Sequence, residues 1–150
     1  WGDEVFQSVA RRVIDAAFIR EPRAMESYAG GAKLPLPAAW LRPAMPLTAR
    51  LMAIRNKASD DAARTDIAAL PGQLAQVDAW ISEGLLGGQT PNAADLQLGS
   101  TIRLLRSIGD VRAIVDEHAA ARLARYFPPL SGQVDPGALP SAWLPAITVE

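Results

Sequence analysis

The sequence contains no cysteine and only one histidine, His118. The absence of cysteine excludes disulfide bonds, a thiolate nucleophile and a zinc site built from thiolates. One histidine with scattered carboxylates also lacks the ligand spacing of a metal site. A hydrolase triad through His118 would need the strand, turn and helix that present a nucleophilic serine, and the sequence shows no such context. We therefore interpret His118 as a structural residue and predict neither a metal nor a catalytic residue in this chain.

The chain also lacks an excess of either charge and any long apolar run. Its 15 basic and 16 acidic residues give a net charge of −1, whereas a nucleic-acid-binding surface is usually basic. No run of about 18 apolar residues is present to span a bilayer, and no signal peptide opens the sequence. These absences predict a cytoplasmic protein that contacts neither nucleic acid nor membrane. A length of 150 residues with 49% hydrophobic content suits one globular domain, residues 1–150.

Apolar residues recur at helical spacing along most of the chain. Proline, glycine and capping residues divide this pattern into about five to six helices. The predicted helices cover residues 2–20, 22–28, 46–57 (or from 43), 60–82, 93–107 and 111–127, the last broken near 116–118. We predict an all-α bundle with an extended C-terminal tail that Trp143 and Leu144 hold against the helices.

The core-facing residues can also be predicted from this spacing. The helix over 60–82 has one regular apolar seam, and Pro71 inside it is expected to cause a kink. The seam consists of Ile67, Leu70, Leu74, Val77 and Ile81. In the preceding helix, the apolar residues expected to face inward are Leu47, Leu51 and Ile54.

Tryptophans are predicted to anchor the connections between these helices. Trp40, next to Leu41, is expected to hold the extended connection around residues 33–37 on the core. Trp80 and Trp143 are expected to be further core anchors, because each has an apolar neighbour in sequence.

The stretch from Gly87 to Asp95 is the best-defined helix start in the sequence. Asn92 is an N-cap residue, and Asp95 three residues later can complete a reciprocal capping box. Pro91 and Leu96 occupy the positions of a hydrophobic staple. The helix that follows has few polar residues, which predicts a buried position. Loss of either capping side chain is expected to cost about 1–2 kcal/mol of folding free energy.

Polar residues in the first helix form a stripe at steps of four, three and four: Glu4, Ser8, Arg11 and Asp15. Phe18 continues the same face as its one large apolar member. One interpretation is a solvated face that carries an Arg11–Asp15 ion pair. The other is a face that lines a cleft or a subunit contact.

Three arginines, Arg103, Arg106 and Arg112, follow one another near the end of the buried helix. They form either an anion-binding patch or a solvated edge that pairs with Asp110 and Asp116.

Taken together, these features resemble the C-terminal helical domain of the glutathione S-transferase family. The matching features are the long helix pair, the glycine-containing turn, the buried helix with its capping box, and the wrapped tail, residues 139–145. In the family a serine or threonine caps and an aspartate follows three residues later, so Asn92 departs from the usual residue while Asp95 matches. The resemblance covers nearly the whole chain.

The resemblance implies a parent enzyme that conjugates glutathione to a small hydrophobic electrophile or performs a thiol-dependent reduction. Glutathione and the catalytic residue would belong to an N-terminal thioredoxin-like domain, which this sequence does not contain. The chain would supply part of the substrate wall and part of a homodimer contact. By this analogy, Arg11, Asp15 and Phe18 are the substrate-binding residues, and residues 25–40 cover the same cleft.

Two other functions remain open from the sequence. The chain can be a non-enzymatic interaction module built on the same helices. It can also be the ligand-binding helical half of a transcriptional regulator.

Overall fold

The computed structural model describes residues 1–30 and 37–145, and within these ranges the chain is helical with no strand. A π-helical turn, Gly2–Phe6, leads into the first α-helix. The α-helices are α1 (Gln7–Arg20), α2 (Ala24–Tyr28), α3 (Met45–Asn56), α4 (Asp60–Ser82), α5 (Ala93–Arg106) and α6 (Gly109–Asp116). The 3₁₀ helices are Ala38–Ala44, Ala119–Tyr126 and Ser141–Trp143. The predicted all-α fold is confirmed. No helix in the described part of the chain is long and apolar enough to cross a membrane.

The core lies between α1, α4 and α5: α1 contacts both α4 and α5, and the 3₁₀ helix Ala119–Tyr126 contacts α4 and α5 as well. All five residues of the seam predicted on α4 are buried. Ser59 caps this helix by accepting a hydrogen bond from the Ala62 N–H at 3.1 Å. α4 continues past Pro71 to Ser82, so the proline does not end it; the kink stays a prediction.

The capping box at the start of α5 is confirmed. The Asp95 N–H donates to Asn92 Oδ1 and the Asn92 N–H donates to Asp95 Oδ2, each at 2.9 Å. Asp95 also accepts a hydrogen bond from the Gly87 N–H at 2.7 Å, so its buried carboxylate fixes both the turn and the helix start. The predicted staple does not bury Leu96, which stays exposed.

Gly99 allows α5 to approach the 3₁₀ helix Ala119–Tyr126 closely. A Cβ atom at this position would lie 2.7 Å from the Leu123 carbonyl oxygen and 3.0 Å from the Phe127 ring. No side chain fits there without displacing the backbone of the neighbour, which explains a glycine inside a helix. Ser100, beside it, is exposed.

The prediction for the inward face of α3 is wrong. Leu47, Leu51 and Ile54 are 62%, 58% and 74% exposed. The buried residues of this helix are instead Met45, Ala49 and Ala53. Both sets recur at helical spacing, and the alanines face the core because short side chains let α3 lie close against α1.

The predicted anchor at Trp40 is also wrong, because this side chain is 72% exposed and Leu41 is only half-buried. Most of the connection that it was expected to hold, namely residues 33–36 of 33–37, lies outside the described residues. Trp80 and Trp143 do pack against the core, as predicted.

The C-terminal tail is held against the bundle by Trp143 and Leu144, as predicted, and by further contacts. Trp143 stacks under the Arg20 guanidinium, 4.5 Å from the ring centre. In one of the two interpretations of the three arginines, Asp110 pairs with them. Asp110 accepts hydrogen bonds from the tail N–H groups of Gly137 and Leu139 at 2.6 and 2.9 Å instead.

We expect Asp95→Ala to lower the free energy of unfolding by about 2 kcal/mol and Asn92→Ala by about 1 kcal/mol. The aspartate change is larger because it leaves two backbone N–H groups without an acceptor. Ser100→Ala, on the exposed side of the same helix, is the control and should stay within about 0.5 kcal/mol of wild type. Urea unfolding followed by circular dichroism measures all three. Equal midpoints for all the proteins would contradict this role of the capping box.

Candidate functional site

A cavity of about 540 Å³ lies between α1, α2, α3 and the end of α5. We call it the Asp15 cavity. Its lining residues are Arg11, Ile14, Asp15, Phe18, Met25, Tyr28, Met52, Arg55, Asn56 and Leu104. The three residues that the sequence singled out, Arg11, Asp15 and Phe18, therefore line one cavity; that they bind a substrate stays a prediction.

The polar stripe of α1 divides into two parts. Glu4 is exposed and Ser8 bonds only to backbone carbonyls one turn earlier, so this end is a solvated face. Further along, Asp15 and Phe18 are buried, and Arg11 stands exposed at the cavity. The Arg11–Asp15 ion pair, which belonged to the solvated-face interpretation, is not formed.

Asp15 carries the most unusual carboxylate in the described part of the chain. The residue is 1% exposed, and its Oδ2 atom accepts a hydrogen bond from Asn56 Nδ2 at 2.7 Å. The other oxygen, Oδ1, is buried and has no hydrogen-bond partner among the described residues. Such a group is costly to bury in its charged form.

Burial raises the pKa of Asp15 above its ordinary value, because desolvation disfavours the carboxylate. The Asn56 hydrogen bond and the positive charge of Arg11 act in the opposite direction without cancelling this effect. Asp15 therefore holds a proton more readily than an exposed aspartate does.

Tyr28 forms the wall of the cavity opposite α3. Its ring meets Phe18 edge to face, with 5.2 Å between the ring centres. Its hydroxyl lies 2.6 Å from Ser107 Oγ, and the Ser107 hydroxyl itself donates to the Leu104 carbonyl at 2.6 Å. The tyrosine is consequently the donor of this pair. Burial raises the pKa of Tyr28, so it remains a neutral phenol.

Gly132, in the C-terminal tail, lies directly against the Tyr28 ring. A Cβ atom on Gly132 would lie 2.3 Å from two atoms of that ring. The tail therefore supports the cavity wall at a position where only glycine fits. The grouping of Tyr28, Ser107 and Gly132 could not be predicted from the sequence, because the contacts join segments about 80 to 100 residues apart.

The remaining walls come from α2, α3 and α5. Met25 lies in the segment that was predicted to cover this cleft, and Met52 on α3 faces the same space. Arg55 adds a second positive charge beside Arg11. Methionine side chains adapt to ligands of different shape, so the cavity combines adaptable apolar walls with a few polar groups, as small-molecule sites do.

His118 lies away from this cavity, as the structural interpretation requires. Its Nδ1 atom is 2.7 Å from Asp78 Oδ2, and the other oxygen of Asp78 accepts a hydrogen bond from the Ala120 N–H at 2.6 Å. Asp78 thereby joins α4 to the start of the 3₁₀ helix Ala119–Tyr126. Within the described residues, no three His, Cys, Asp or Glu side chains are grouped to hold a metal ion.

We expect Asp15→Asn to raise the melting temperature at pH 7. Because the folded-state pKa of Asp15 is raised, the folded protein keeps this proton to a higher pH than the unfolded chain does. The free energy of unfolding therefore falls as the pH rises from about 4 through the folded-state pKa. Asparagine carries no charge, so the variant does not lose this stability at higher pH. Its higher melting temperature relative to wild type should therefore fade as pH falls towards about 4. Differential scanning fluorimetry from pH 4 to pH 8 measures the difference. A destabilised variant at pH 7, or a gain independent of pH, would contradict the assignment.

Comparison with known proteins gave no match: no family model fits the chain, and no curated protein or solved structure is similar enough to be a relative. The function therefore has to be inferred from the residues and the geometry of the cavity, together with the family resemblance of the sequence.

Proposed function

We propose that this chain is the helical half of a glutathione transferase-like enzyme and that the Asp15 cavity binds its electrophilic substrate. The observation that carries this proposal is the buried, half-satisfied carboxylate of Asp15 in the wall of an otherwise largely apolar cavity. Burial of such a group destabilises the folded state, because the carboxylate loses its solvation. A buried carboxyl group that costs stability is therefore expected to have a function. Carboxyl groups that line a cavity and whose pKa is shifted by burial are typical of functional sites.

The size and lining of the cavity define the class of ligand. A volume of about 540 Å³ lies within the usual range of about 300–1,000 Å³ for small-molecule sites. Phe18, Met25 and Met52 suit an aromatic or aliphatic body. Asp15 and Asn56 suit a polar edge of the ligand.

In this proposal the chain binds substrate and performs no bond-making step itself. Glutathione is the co-substrate, and its thiolate is activated in a thioredoxin-like domain. The positively charged guanidinium groups of Arg11 and Arg55 stabilise negative charge that develops on the electrophile during attack. The helices also provide part of a homodimer contact.

A second candidate, a non-enzymatic interaction module, is favoured by one observation. Leu47, Leu51 and Ile54 form an exposed apolar stripe along α3, at steps of four and three. Three large apolar side chains aligned in this way are typical of a surface that another protein covers. The stripe is compatible with both candidates, because a transferase-like parent also has a second domain and a second subunit to bury it.

The experiment is a steady-state assay of glutathione conjugation to an aryl halide, with the full-length gene product that contains this chain. We expect Phe18→Ala to raise the KM for the aryl halide about tenfold, since a buried aromatic contact of about 1–2 kcal/mol is lost. The KM for glutathione should not change. Ile19→Ala, which removes an exposed apolar side chain next to Phe18 on α1, is the matched control and should behave as wild type.

Two results would contradict the proposal. One is the absence of any thiol-dependent reaction with electrophiles, which would favour the interaction module or the regulator. The other is an equal effect of Phe18→Ala and Ile19→Ala on the KM, which would place substrate binding outside the Asp15 cavity.

A further inference from the structure

Three arginines meet at the C-terminal end of α5, in a second cavity separate from the Asp15 cavity. Arg103 and Arg106 lie one turn apart on α5, and Arg112 comes from α6. Together with Ser107, Gly132 and Gln133 they line a space of about 170 Å³, which we call the arginine pocket. The hydroxyl group of Tyr28 reaches Ser107, so the tyrosine stands between the two cavities.

The positive charge of the arginine pocket is only partly compensated. Arg106 Nε donates to Asp116 Oδ1 at 2.6 Å, and this is the one ion pair that the three arginines form among the described residues. Asp110, the other nearby acid in sequence, is used by the tail backbone. Among the described residues, Arg103 and Arg112 therefore form no ion pair.

The geometry of the arginines leaves donors available. Arg112 Nε donates to the Arg106 carbonyl at 2.8 Å, which fixes Arg112 against the end of α5. For Arg106 and Arg112, only these Nε atoms donate to described residues, so their terminal Nη donors remain for another acceptor. Arg103 Nε is buried and has no acceptor in the described part of the chain.

Compensation of the helix dipole does not account for this arrangement. Basic residues in the last turn of a helix stabilise it by about 0.3–1 kcal/mol even when they are solvated. That effect requires neither a buried guanidinium nitrogen nor a third arginine from another helix. Converging arginines with free Nη donors are instead typical of sites that bind oxyanions, because the planar guanidinium matches the spacing of two phosphate oxygens.

We propose that the arginine pocket binds the phosphoryl group of a small ligand, or free phosphate. Its volume is well below the range of about 300–1,000 Å³ usual for whole small-molecule ligands. The pocket therefore holds the oxyanion group itself, with any remaining part of the ligand outside. This site does not depend on the proposed transferase function, since it shares no lining residue with the Asp15 cavity.

The test is isothermal titration of the folded chain with inorganic phosphate, at an ionic strength kept constant with chloride. We expect saturable binding by the wild type. Arg103→Gln and Arg112→Gln should each weaken it at least about tenfold, since each removes a charge-assisted hydrogen-bond donor. Arg64→Gln removes the same charge from an exposed position on α4 and should bind phosphate as wild type does.

Two results would overturn the proposal: no binding of phosphate by the wild type, or an equal loss in Arg64→Gln, which would indicate non-specific attraction. Circular dichroism checks that each variant is folded. If Arg112→Gln unfolds through loss of its bond to the Arg106 carbonyl, Arg103→Gln still decides, because Arg103 makes no hydrogen bond to the described residues through its side chain.

A second titration with methyl phosphate distinguishes the two sources of the oxyanion. Binding as tight as that of inorganic phosphate supports a phosphoryl group carried by a small ligand. Weaker binding supports free phosphate.

Discussion

The close contact between α1 and α3 determines most of what is particular to this molecule. It is made through Ala49 and Ala53, whose short side chains let the two helices approach. This approach brings Asn56, the last residue of α3, to 2.7 Å from the carboxylate of Asp15. It also places the longer side chain of Met52 beside the gap that becomes the Asp15 cavity. With its alanine face packed against α1, α3 exposes its large apolar residues to solvent. The buried carboxylate, the cavity and the exposed stripe therefore have one cause.

The features that could be predicted from the sequence are those encoded by neighbouring residues. The capping box needs only Asn92 and Asp95, three residues apart, and the seam of α4 needs only its own periodicity. The inward face of α3 could not be predicted in this way, because its alanines and its leucines are equally periodic and only the partner helix selects between them. The same limit applies to the site. The face of α1 that carries Asp15 is visible in the sequence, whereas its partner Asn56 is 41 residues away.

Tyr28 stands between the Asp15 cavity and the arginine pocket. Its ring is a wall of the Asp15 cavity, and its hydroxyl group donates to Ser107, which lines the arginine pocket. Gly132 holds the ring from the tail side. One cavity contains a carboxyl group whose pKa is raised by burial, and the other is lined by three arginines, of which only Arg106 forms an ion pair among the described residues. The two are therefore suited to different ligands while sharing one rigid wall.

The central claim is that the Asp15 carboxyl group is desolvated in the wall of a ligand cavity. It is tested most directly by a pH titration of the folded chain, in which carbon-13 NMR follows the Asp15 side-chain carboxyl. The account predicts a pKa clearly above the ordinary value of about 4 for an aspartate, because burial outweighs the Asn56 hydrogen bond and the charge of Arg11. A pKa at or below that value would show a solvated or ion-paired carboxylate and would contradict the account.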